Sequence, residues 1–342
     1  MVADRIALAE DVTKIGEFIA GVVFAWCAAS GVSYAAQLDA GHHWPRRPIR
    51  AIVPAAPGGA GDITARALVP ALSEYLGQQI VIDNRAGAAG NIGLELVAKA
   101  PPDGYTILFG NISTITINPT TYASVLKVDV AKELIPVTML SRIPNLLVSG
   151  AGFPPNTMVE LIDYAKVRQG QLNYSNPVGG VSHLDMLEFT ARAGIRMVNV
   201  PSKGGGSSFA SIISGEIHFS FLSAATVIPQ IKGGRMKSFV TTAQRRLADL
   251  PDVPTMAEAG FSGGGSEFWI GFFLPTGTSR TIIDKLHAAV LQVTRRAPVR
   301  DAFDKVKVPL AVSASTEEFQ DFVRNETKRW AAVIKTNNVK VQ

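Results

Sequence analysis

The chain has 342 residues, of which 47% are hydrophobic and 18% are charged, and its formal net charge is +5. This length is enough for two packed domains of ordinary size, and the composition is not that of a disordered protein. The basic residues are scattered and no aromatic-basic motif accompanies them, so a nucleic-acid-binding protein is not indicated. A mildly basic surface suits small anionic ligands.

An apolar run near the N-terminus, residues 18–30, predicts an export signal. It has about the length of a signal-peptide core and is too short for a membrane span. Ser33 and Ala35 suit cleavage after Ala35, so we expect residues 1–36 to be the signal and the mature protein to be periplasmic. The single cysteine, Cys27, lies in this run, so the mature chain has neither disulfide nor thiolate chemistry.

The flank of this run is atypical, because acidic residues outnumber basic ones where a positive charge is usual. The acidic residues are Asp4, Glu10, Asp11 and Glu17, and the basic ones are Arg5 and Lys14. An uncleaved anchor, or a start downstream of Met1, therefore stays open.

Short β-like runs alternate with amphipathic stretches after this segment. The pattern predicts strands at 49–55, 79–83 and 105–109 and helices at 62–76 and 91–100. Such alternation indicates an α/β fold with a mainly parallel sheet. In that class, ligands bind beyond the carboxyl ends of the strands, where loops lead into helices.

A second α/β run begins near residue 145 and is followed by a helical tail. Helices are predicted at 157–168, from 181, in a short stretch ending at 214, at 280–296 and at 316–335; strands are predicted at 172–175, 197–200, 217–221 and 236–241. The first sheet lacks enough helices to cover it, so we expect the tail to return to it.

This arrangement predicts two α/β lobes with a central ligand cleft and a two-crossing hinge. The expected bounds are 45–145 and 272–342 for lobe 1 and 146–271 for lobe 2. The two crossings are expected near 142–148 and 266–272.

Four stretches together carry a family resemblance. They read "WPRRPIRAIVPAAPGGAGDITAR", "VIDNRAGAAGNIGLELVAKAPPDGYTILFGN", "LPDVPTMAEAGF" and "FFLPTGTS". In this order they resemble the tripartite tricarboxylate transporter substrate-binding proteins, also called Bug receptors, from about Trp44 to the C-terminus. The resemblance implies a periplasmic binding protein-like type II fold and capture of a small carboxylate, held largely by backbone amides, hydroxyls and water. It also implies delivery to membrane permease subunits, or to a sensor kinase where no permease is present. We expect a monomer with no cofactor.

Glycine-rich loops at the ends of the first three strands are the candidate ligand site in lobe 1. Such a loop before a helix presents free amides, which can hold a carboxylate without a lysine. A tight strand-to-helix connection is the alternative explanation for these glycines. The candidate residues are Ala56, Pro57, Gly58, Gly59, Asn84, Gly87, Ala88, Gly90, Asn111 and Ser113. Asp62 is expected to cap its own helix, and Arg85 to form a salt bridge between loops.

The stretch "NYSNPVGGVSHL" corresponds to a glycine-rich loop of the family, although it is one residue shorter and Pro177-Val178 interrupts the glycines. The candidate ligand residues of lobe 2 are Ser175, Asn176, Gly179, Ser182, Lys203, Gly204 and Ala224. His183 and His218 are expected to be structural. Lys203 could equally be a solvated surface charge.

Two other functions are alternatives to that of a solute receptor. A cofactor-dependent α/β enzyme is disfavoured, since the glycines match neither a Walker A loop nor a dinucleotide fingerprint, and no nucleophile elbow occurs. A sensor subunit that signals to a membrane kinase shares the fold, so the sequence does not separate it from a transport receptor.

Overall fold

A computed structural model describes residues 44–176, 178–200 and 209–339. The predicted signal at 1–36 and the candidate residues Lys203 and Gly204 lie outside these ranges. Within them, no helix has the length and apolar character needed to cross a bilayer.

The described residues form ten strands and eleven α-helices, joined by a 3₁₀ turn at Ala88–Gly90 and a π-helix at Ser113–Ile117. The strands are β1 (Ile49–Val53), β2 (Ile80–Asn84), β3 (Thr106–Asn111), β4 (Leu134–Ile143), β5 (Asn145–Gly150), β6 (Asn173–Tyr174), β7 (Val198–Asn199), β8 (Ser220–Ser223), β9 (Met236–Thr241) and β10 (Phe268–Pro275). The helices are α1 (Ala60–Leu76), α2 (Asn91–Ala98), α3 (Asn118–Thr121), α4 (Val130–Glu133), α5 (Met158–Lys166), α6 (Val181–Ala193), α7 (Phe209–Ile213), α8 (Ala224–Lys232), α9 (Arg280–Thr294), α10 (Ala297–Lys305) and α11 (Thr316–Thr336).

The strands form two main sheets and a short pair. The first sheet has the order β2-β1-β3-β10-β4, the second the order β8-β5-β9, and β6 pairs with β7. Strand β1 runs parallel to β2 and β3, whereas β10 is antiparallel to β3 and β4, and β5 is antiparallel to β8 and β9. The prediction of a mainly parallel sheet is therefore wrong, because β10 in the first sheet and β5 in the second are antiparallel to both of their neighbours.

Most predicted elements are confirmed within a few residues, but seven were not predicted: the strands β4, β5 and β10 and the helices α3, α4, α8 and α10. Strands β4 and β5 lie in one nearly continuous apolar run, 134–150, in which almost every residue from 137 is buried. Burial on both faces removes the alternation that marks a strand. Helix α8 follows β8 without a break and contains Pro229, while α10 follows α9 after only two residues.

The tail helices cover the first sheet on both faces, as expected. Alternate residues of β1 enter two different cores: Ala51 and Val53 lie in one with residues of α1 and α9, and Ile52 lies in the other. That second core contains Leu94 of α2 and Phe319 of α11. The period of two along β1 therefore separates the helices into two layers.

The chain passes between the two sheets twice, and the two crossings touch. The first crossing is Pro144, between β4 and β5, and the second is 242–267, between β9 and β10. Phe268 pairs with Ile143 where the second crossing ends. The side-chain amide of Asn145 donates to the carbonyl of Ser266 at 3.2 Å, which ties one crossing to the other.

The returning strand β10 and helix α11 meet in a tightly packed aromatic cluster. The Phe319 ring is fully buried, and its centroid lies 5.8 Å from that of Trp269 and 5.5 Å from that of Phe273. A β-carbon at Gly271 would lie only 2.4 Å from Cζ of Phe319. The ring therefore rests directly on the backbone of β10, which explains why glycine occupies this position.

Phe319→Ala is expected to lower the free energy of unfolding by about 3–5 kcal/mol, because it removes a buried ring and leaves a cavity. Urea denaturation followed by circular dichroism measures this change. Val159→Ala, at a site where the side chain is 69% exposed, is the control and should shift stability by less than about 0.5 kcal/mol. Equal effects of the two substitutions would contradict the proposed packing.

Candidate functional site

The first loop of the predicted site joins β1 to α1. Gly59 is the N-cap of α1 and no side chain caps the helix. Among the described residues, the amides of Ala60 and Gly61 have no hydrogen-bond partner. The predicted ligand residues Ala56, Pro57 and Gly58 are exposed, and Gly59 is half-buried. The loop thus presents unpaired amides at the positive end of a helix dipole.

Two amides of this loop already donate hydrogen bonds within the protein. The amide of Gly58 donates to Oδ2 of Asp62 at 2.9 Å, and the amide of Gly59 donates to the carbonyl of Ala56 at 3.2 Å. Asp62 lies in the first turn of α1, so its carboxylate stabilises the loop rather than serving as the N-cap. The free donors of this loop consequently lie one or two residues beyond the predicted glycines.

The second loop, 84–91, is tied to the first. The side-chain amide of Asn84 donates to the carbonyl of Ala55 at 3.1 Å. Gly87 and Gly90 have positive φ angles, and a β-carbon at Gly90 would lie 2.9 Å from the carbonyl oxygen of Pro54. The amide of Gly90 donates to the carbonyl of Gly87 at 2.9 Å. Gly90 therefore permits close packing of the two loops, and Gly87 and Ala88 form the exposed edge.

The third loop follows β3 and is closed by its own side chains. Oδ1 of Asn111 accepts the amides of Ser113 and Thr114 at 3.0 and 3.1 Å, which caps the π-helix. Oγ1 of Thr114 accepts the amide of Asn111 at 3.1 Å. A β-carbon at Gly90 would approach Thr114 to 2.6 Å, so the second and third loops also meet. The structure thus brings the three predicted lobe 1 loops together.

Four candidate residues of lobe 2, Ser175, Asn176, Gly179 and Ser182, lie just before and at the start of α6. Ser175 and Asn176 are buried. The side-chain amide of Asn176 donates to Oγ of Ser220 at 2.9 Å, and that hydroxyl donates to the carbonyl of Ser175. The amide of Gly179 donates to Nδ1 of His183 at 3.1 Å. Ser182 lies half-buried in the first turn of α6, a helix that begins at a glycine without a side-chain cap.

The start of α6 and the third loop contribute residues to one hydrophobic cluster. Val181, next to Ser182, belongs to the same buried cluster as Ile112, which lies between Asn111 and Ser113. Ala224 is buried at the start of α8, and its amide donates to the carbonyl of Pro144 at 2.9 Å. Ala224 is therefore fixed against the first crossing. The ligand roles of all these residues stay predictions.

The charged side chains at the first two loops are paired with one another. Arg85 forms a salt bridge with Asp83 at 2.9 Å, and Arg50 binds the same carboxylate. Burial lowers the pKa of His183, so its imidazole is neutral at pH 7 and its Nδ1 accepts a hydrogen bond from the amide of Gly179. The described donors at the site are accordingly amides and hydroxyls. Such groups bind a carboxylate through charge-assisted hydrogen bonds in which only the ligand is charged.

Three residues that support the site were not identified from the sequence. The side-chain amide of Asn118 donates to the carbonyl of Ala89 at 3.1 Å and to Oδ1 of Asn91 at 2.6 Å. Asn91 and Asn118 are both buried, and Thr114 joins two loops as described above. Asn118 lies in a short helix beyond the third loop, so spacing in the sequence gives no signal of its contact with residue 89.

Two concave surfaces lie apart from these loops, and none of the predicted ligand residues lines either. One is an apolar groove of about 1090 Å³ between 126–136 and α11. The other is a polar cavity of about 440 Å³ lined by residues of α11 and of the second crossing. Among the described residues there is no cluster of three or more side chains suited to hold a metal ion.

The fold and these loops define a two-lobed, periplasmic binding protein-like receptor. The model of the tripartite tricarboxylate transporter family receptor matches residues 64–339, so this chain belongs to that family. The resemblance drawn from the sequence is confirmed.

Relatives match over nearly their whole length. The UPF0065 protein in the tcbD-tcbE intergenic region of Pseudomonas sp. (strain P51) is 33% identical, with 95% of each chain covered. Protein BugT of Bordetella pertussis is 30% identical, with 94% of this chain and 98% of BugT covered.

Solved structures agree with this assignment. MatC from Rhodopseudomonas palustris with bound malate superposes with a TM-score of 0.70 at 29% identity, covering 85% of this chain and all of MatC. Rpa4515 from the same organism, with adipate, gives a TM-score of 0.73 at 30% identity, covering 87% of this chain and 99% of Rpa4515.

Asp62 holds the first loop through an ionised carboxylate. Oδ2 accepts Nε of Arg66 at 2.8 Å as well as the Gly58 amide. The bond from Arg66, followed by that from Gly58, lowers the pKa of Asp62 below its ordinary value of 3.8, although burial opposes the shift. The ionised form therefore stabilises the folded loop above that value, and the contribution is lost as the pH falls through the lowered pKa.

Asp62→Asn is expected to lower the free energy of unfolding by about 1–2 kcal/mol at pH 7, because two bonds to a charged acceptor are weakened. The difference from wild type should shrink progressively when urea denaturation is repeated at pH values below 3.8, the ordinary pKa of the carboxyl group. Asp301→Asn, at an exposed position, serves as the control. A difference for Asp62→Asn that does not change with pH would contradict an ionised role.

Proposed function

We propose that this protein is an extracytoplasmic receptor that captures a small carboxylate between its two lobes. The observation that carries the proposal is that the loops after β1, β2 and β3 meet one another, and that α1 and α6 both begin at N-termini that no side chain caps. A carboxylate gains hydrogen bonds and a favourable dipole there.

The relatives support this class of ligand. MatC is bound to malate and Rpa4515 is in complex with adipate, and both ligands are small carboxylates. A site built from backbone amides recognises the carboxylate group itself, and the remaining wall of the pocket selects the rest of the molecule. Di- and tricarboxylates, aromatic acids and amino acids are the candidate ligands.

Location and partners follow from the same proposal. The protein is exported to the periplasm, hands its ligand to the membrane permease of a tripartite tricarboxylate-type transporter, and catalyses no reaction. Lobe 1 comprises 45–145 and 272–342, and lobe 2 comprises 146–271. Paired crossings next to one another, at Pro144 and Ser266, support a hinge between these lobes.

A thermal-shift screen of small carboxylates is the experiment that tests the proposal. At least one of malate, adipate, citrate, benzoate, nicotinate and glutamate is expected to stabilise the protein. Saturating ligand should add about 3–4 kcal/mol to the free energy of unfolding at 100 to 1,000 times its Kd. The matching amides and alcohols are the controls, and stabilisation by none of the carboxylates would overturn the proposal.

Gly59→Val is expected to raise the Kd of the bound carboxylate by about 10- to 150-fold, which corresponds to the loss of one charge-assisted hydrogen bond. The physical reason is steric, since valine would cover the amides of Ala60 and Gly61. Isothermal titration calorimetry measures the change. Gly59 has an ordinary φ of −73°, and a β-carbon there would lie 3.3 Å from the carbonyl oxygen of Ala56. A small shift of this exposed loop accommodates the side chain, so the fold should persist.

Gly152→Val is the matched control, because a β-carbon there meets no atom within 4 Å and the position is exposed. Its Kd should equal that of wild type. If Gly59→Val lowers folding stability as much as it weakens binding, the glycine is structural and the proposed role of the loop is wrong.

A further inference from the structure

Helix α6 packs into two cores at once. Val181 and Leu184 lie in the buried cluster that contains Phe319 of α11. Met186 and Phe189, further along α6, lie in a different cluster that is built around the second sheet. Any rotation of one lobe relative to the other must therefore move α6 against at least one of its neighbours.

The polar side of α6 is bound to the second crossing. Asp185 is 1% exposed, and its carboxylate accepts the hydroxyl of Ser266 at 2.8 Å and the amide of Ser266 at 3.2 Å. The carbonyl of Ser266 accepts the side-chain amide of Asn145, which follows the first crossing. One buried carboxylate thus fixes α6 to the point where the two crossings meet.

Arg329 connects the same point to α11. Its Nη2 donates to Oε2 of Glu188 on α6 at 2.6 Å, and its Nη1 donates to the hydroxyl of Ser266 at 3.2 Å. The side chains of Arg329 and Glu188 are only 24% and 18% exposed, so solvent screens this ion pair little. We refer to Asp185, Glu188, Ser266 and Arg329 as the hinge junction.

Two buried donors at or beside the hinge junction are unused. Within the described part of the chain, Nε of Arg329 and Nε1 of Trp269 are buried without a hydrogen-bond partner. Both residues line the polar cavity of about 440 Å³ beside α11, together with Glu267 and Glu326. Buried donors of this kind are rare in a fully optimised packing. The arrangement described here therefore has spare donors with which to form other pairs when the lobes move.

We propose that the hinge junction is a positioning device that fixes α6, and through it sets where the loop at the start of α6 stands relative to the loops of lobe 1. The inference rests on the proposed function, because that loop contains the predicted ligand residues Gly179 and Ser182. Asp185, Glu188, Ser266 and Arg329 are positioning residues that act through the helix and do not touch the ligand.

Charged side chains on three parts of the structure surround Asp185. Glu188 and Arg192 lie on its own helix, and Arg329 and Glu326 on α11. Glu267 follows Ser266 and pairs with Arg142 of β4 at 3.1 Å. Burial raises the pKa of Asp185 to about 7 and Glu188 adds to the effect, while Arg329 and Ser266 oppose it. With this pKa, the charge of Asp185 changes near neutral pH, so a property that depends on the junction should change with pH in that range.

The test measures the Kd of malate and adipate by calorimetry for wild type, Arg329→Met and Glu188→Gln. Loss of the interlobe ion pair is expected to raise the Kd by about 5- to 150-fold, the usual range of coupling between two sites. Arg329→Lys keeps the charge and should restore part of the affinity. Glu317→Gln, which removes an exposed pair with Arg280 of the same lobe, is the matched control and should bind as wild type does.

Two readouts separate positioning from a general loss of stability. The Kd of wild type is expected to change between pH 6 and pH 8, and Asp185→Asn should remove that change. Small-angle scattering of the ligand-free proteins should give a different radius of gyration for Arg329→Met, and the same radius for Glu317→Gln.

The outcomes distinguish the two proposals. If wild type binds a carboxylate but the junction variants bind it equally well with an unchanged radius of gyration, the inference is overturned and the receptor function stands. If wild type binds no carboxylate, the proposed function fails. In that case the scattering comparison alone decides whether the junction sets the lobe positions.

Discussion

The pairing of β10 with β3 on one side and β4 on the other is the constraint on which the rest of the structure depends. Strand β10 lies between β3 and β4 of the first sheet, although it follows the strands of the second sheet in the sequence. Its entry places the end of the second crossing beside Ile143, just before the first crossing. It also returns the chain to the first sheet, where α9 and α11 cover opposite faces. The contact between the two crossings and a closed hydrophobic core thus arise from one strand.

The site follows from the same topology. Parallel strands β1, β2 and β3 end at one edge, so the loops that follow them meet, and glycines allow these loops to touch at Pro54 and Thr114. The first turn of helix α6 packs into the same core as Phe319, and we propose that it forms the opposite side of the site. The proposed donors are neutral. The positions of their amides depend on buried supports such as Asn118 and Asn91.

Prediction from the sequence succeeded where the signal is local. In the strand–glycine–helix units at 49–76 and 80–98, glycine and proline residues mark where the elements end. Prediction failed for β4 and β5, which are buried on both faces and show no alternation, and for the sheet direction, which no local pattern encodes. At the predicted site, the sequence did not show that Asp62 accepts the Gly58 amide or that Oδ1 of Asn111 accepts the amide of Ser113.

The sequence by itself determined the family, the α/β class and the glycine-rich loops, because these depend on residue order and on short-range backbone preferences. Only the tertiary structure decided which amides stay free, which loops touch, and how α6 is bound to both crossings. The hinge junction joins Asp185, Ser266 and Arg329, which are separated by 81 and 63 positions along the chain. The physical reason is that a buried carboxylate is tolerated only where distant segments bring it partners, and those partners are chosen by packing in three dimensions.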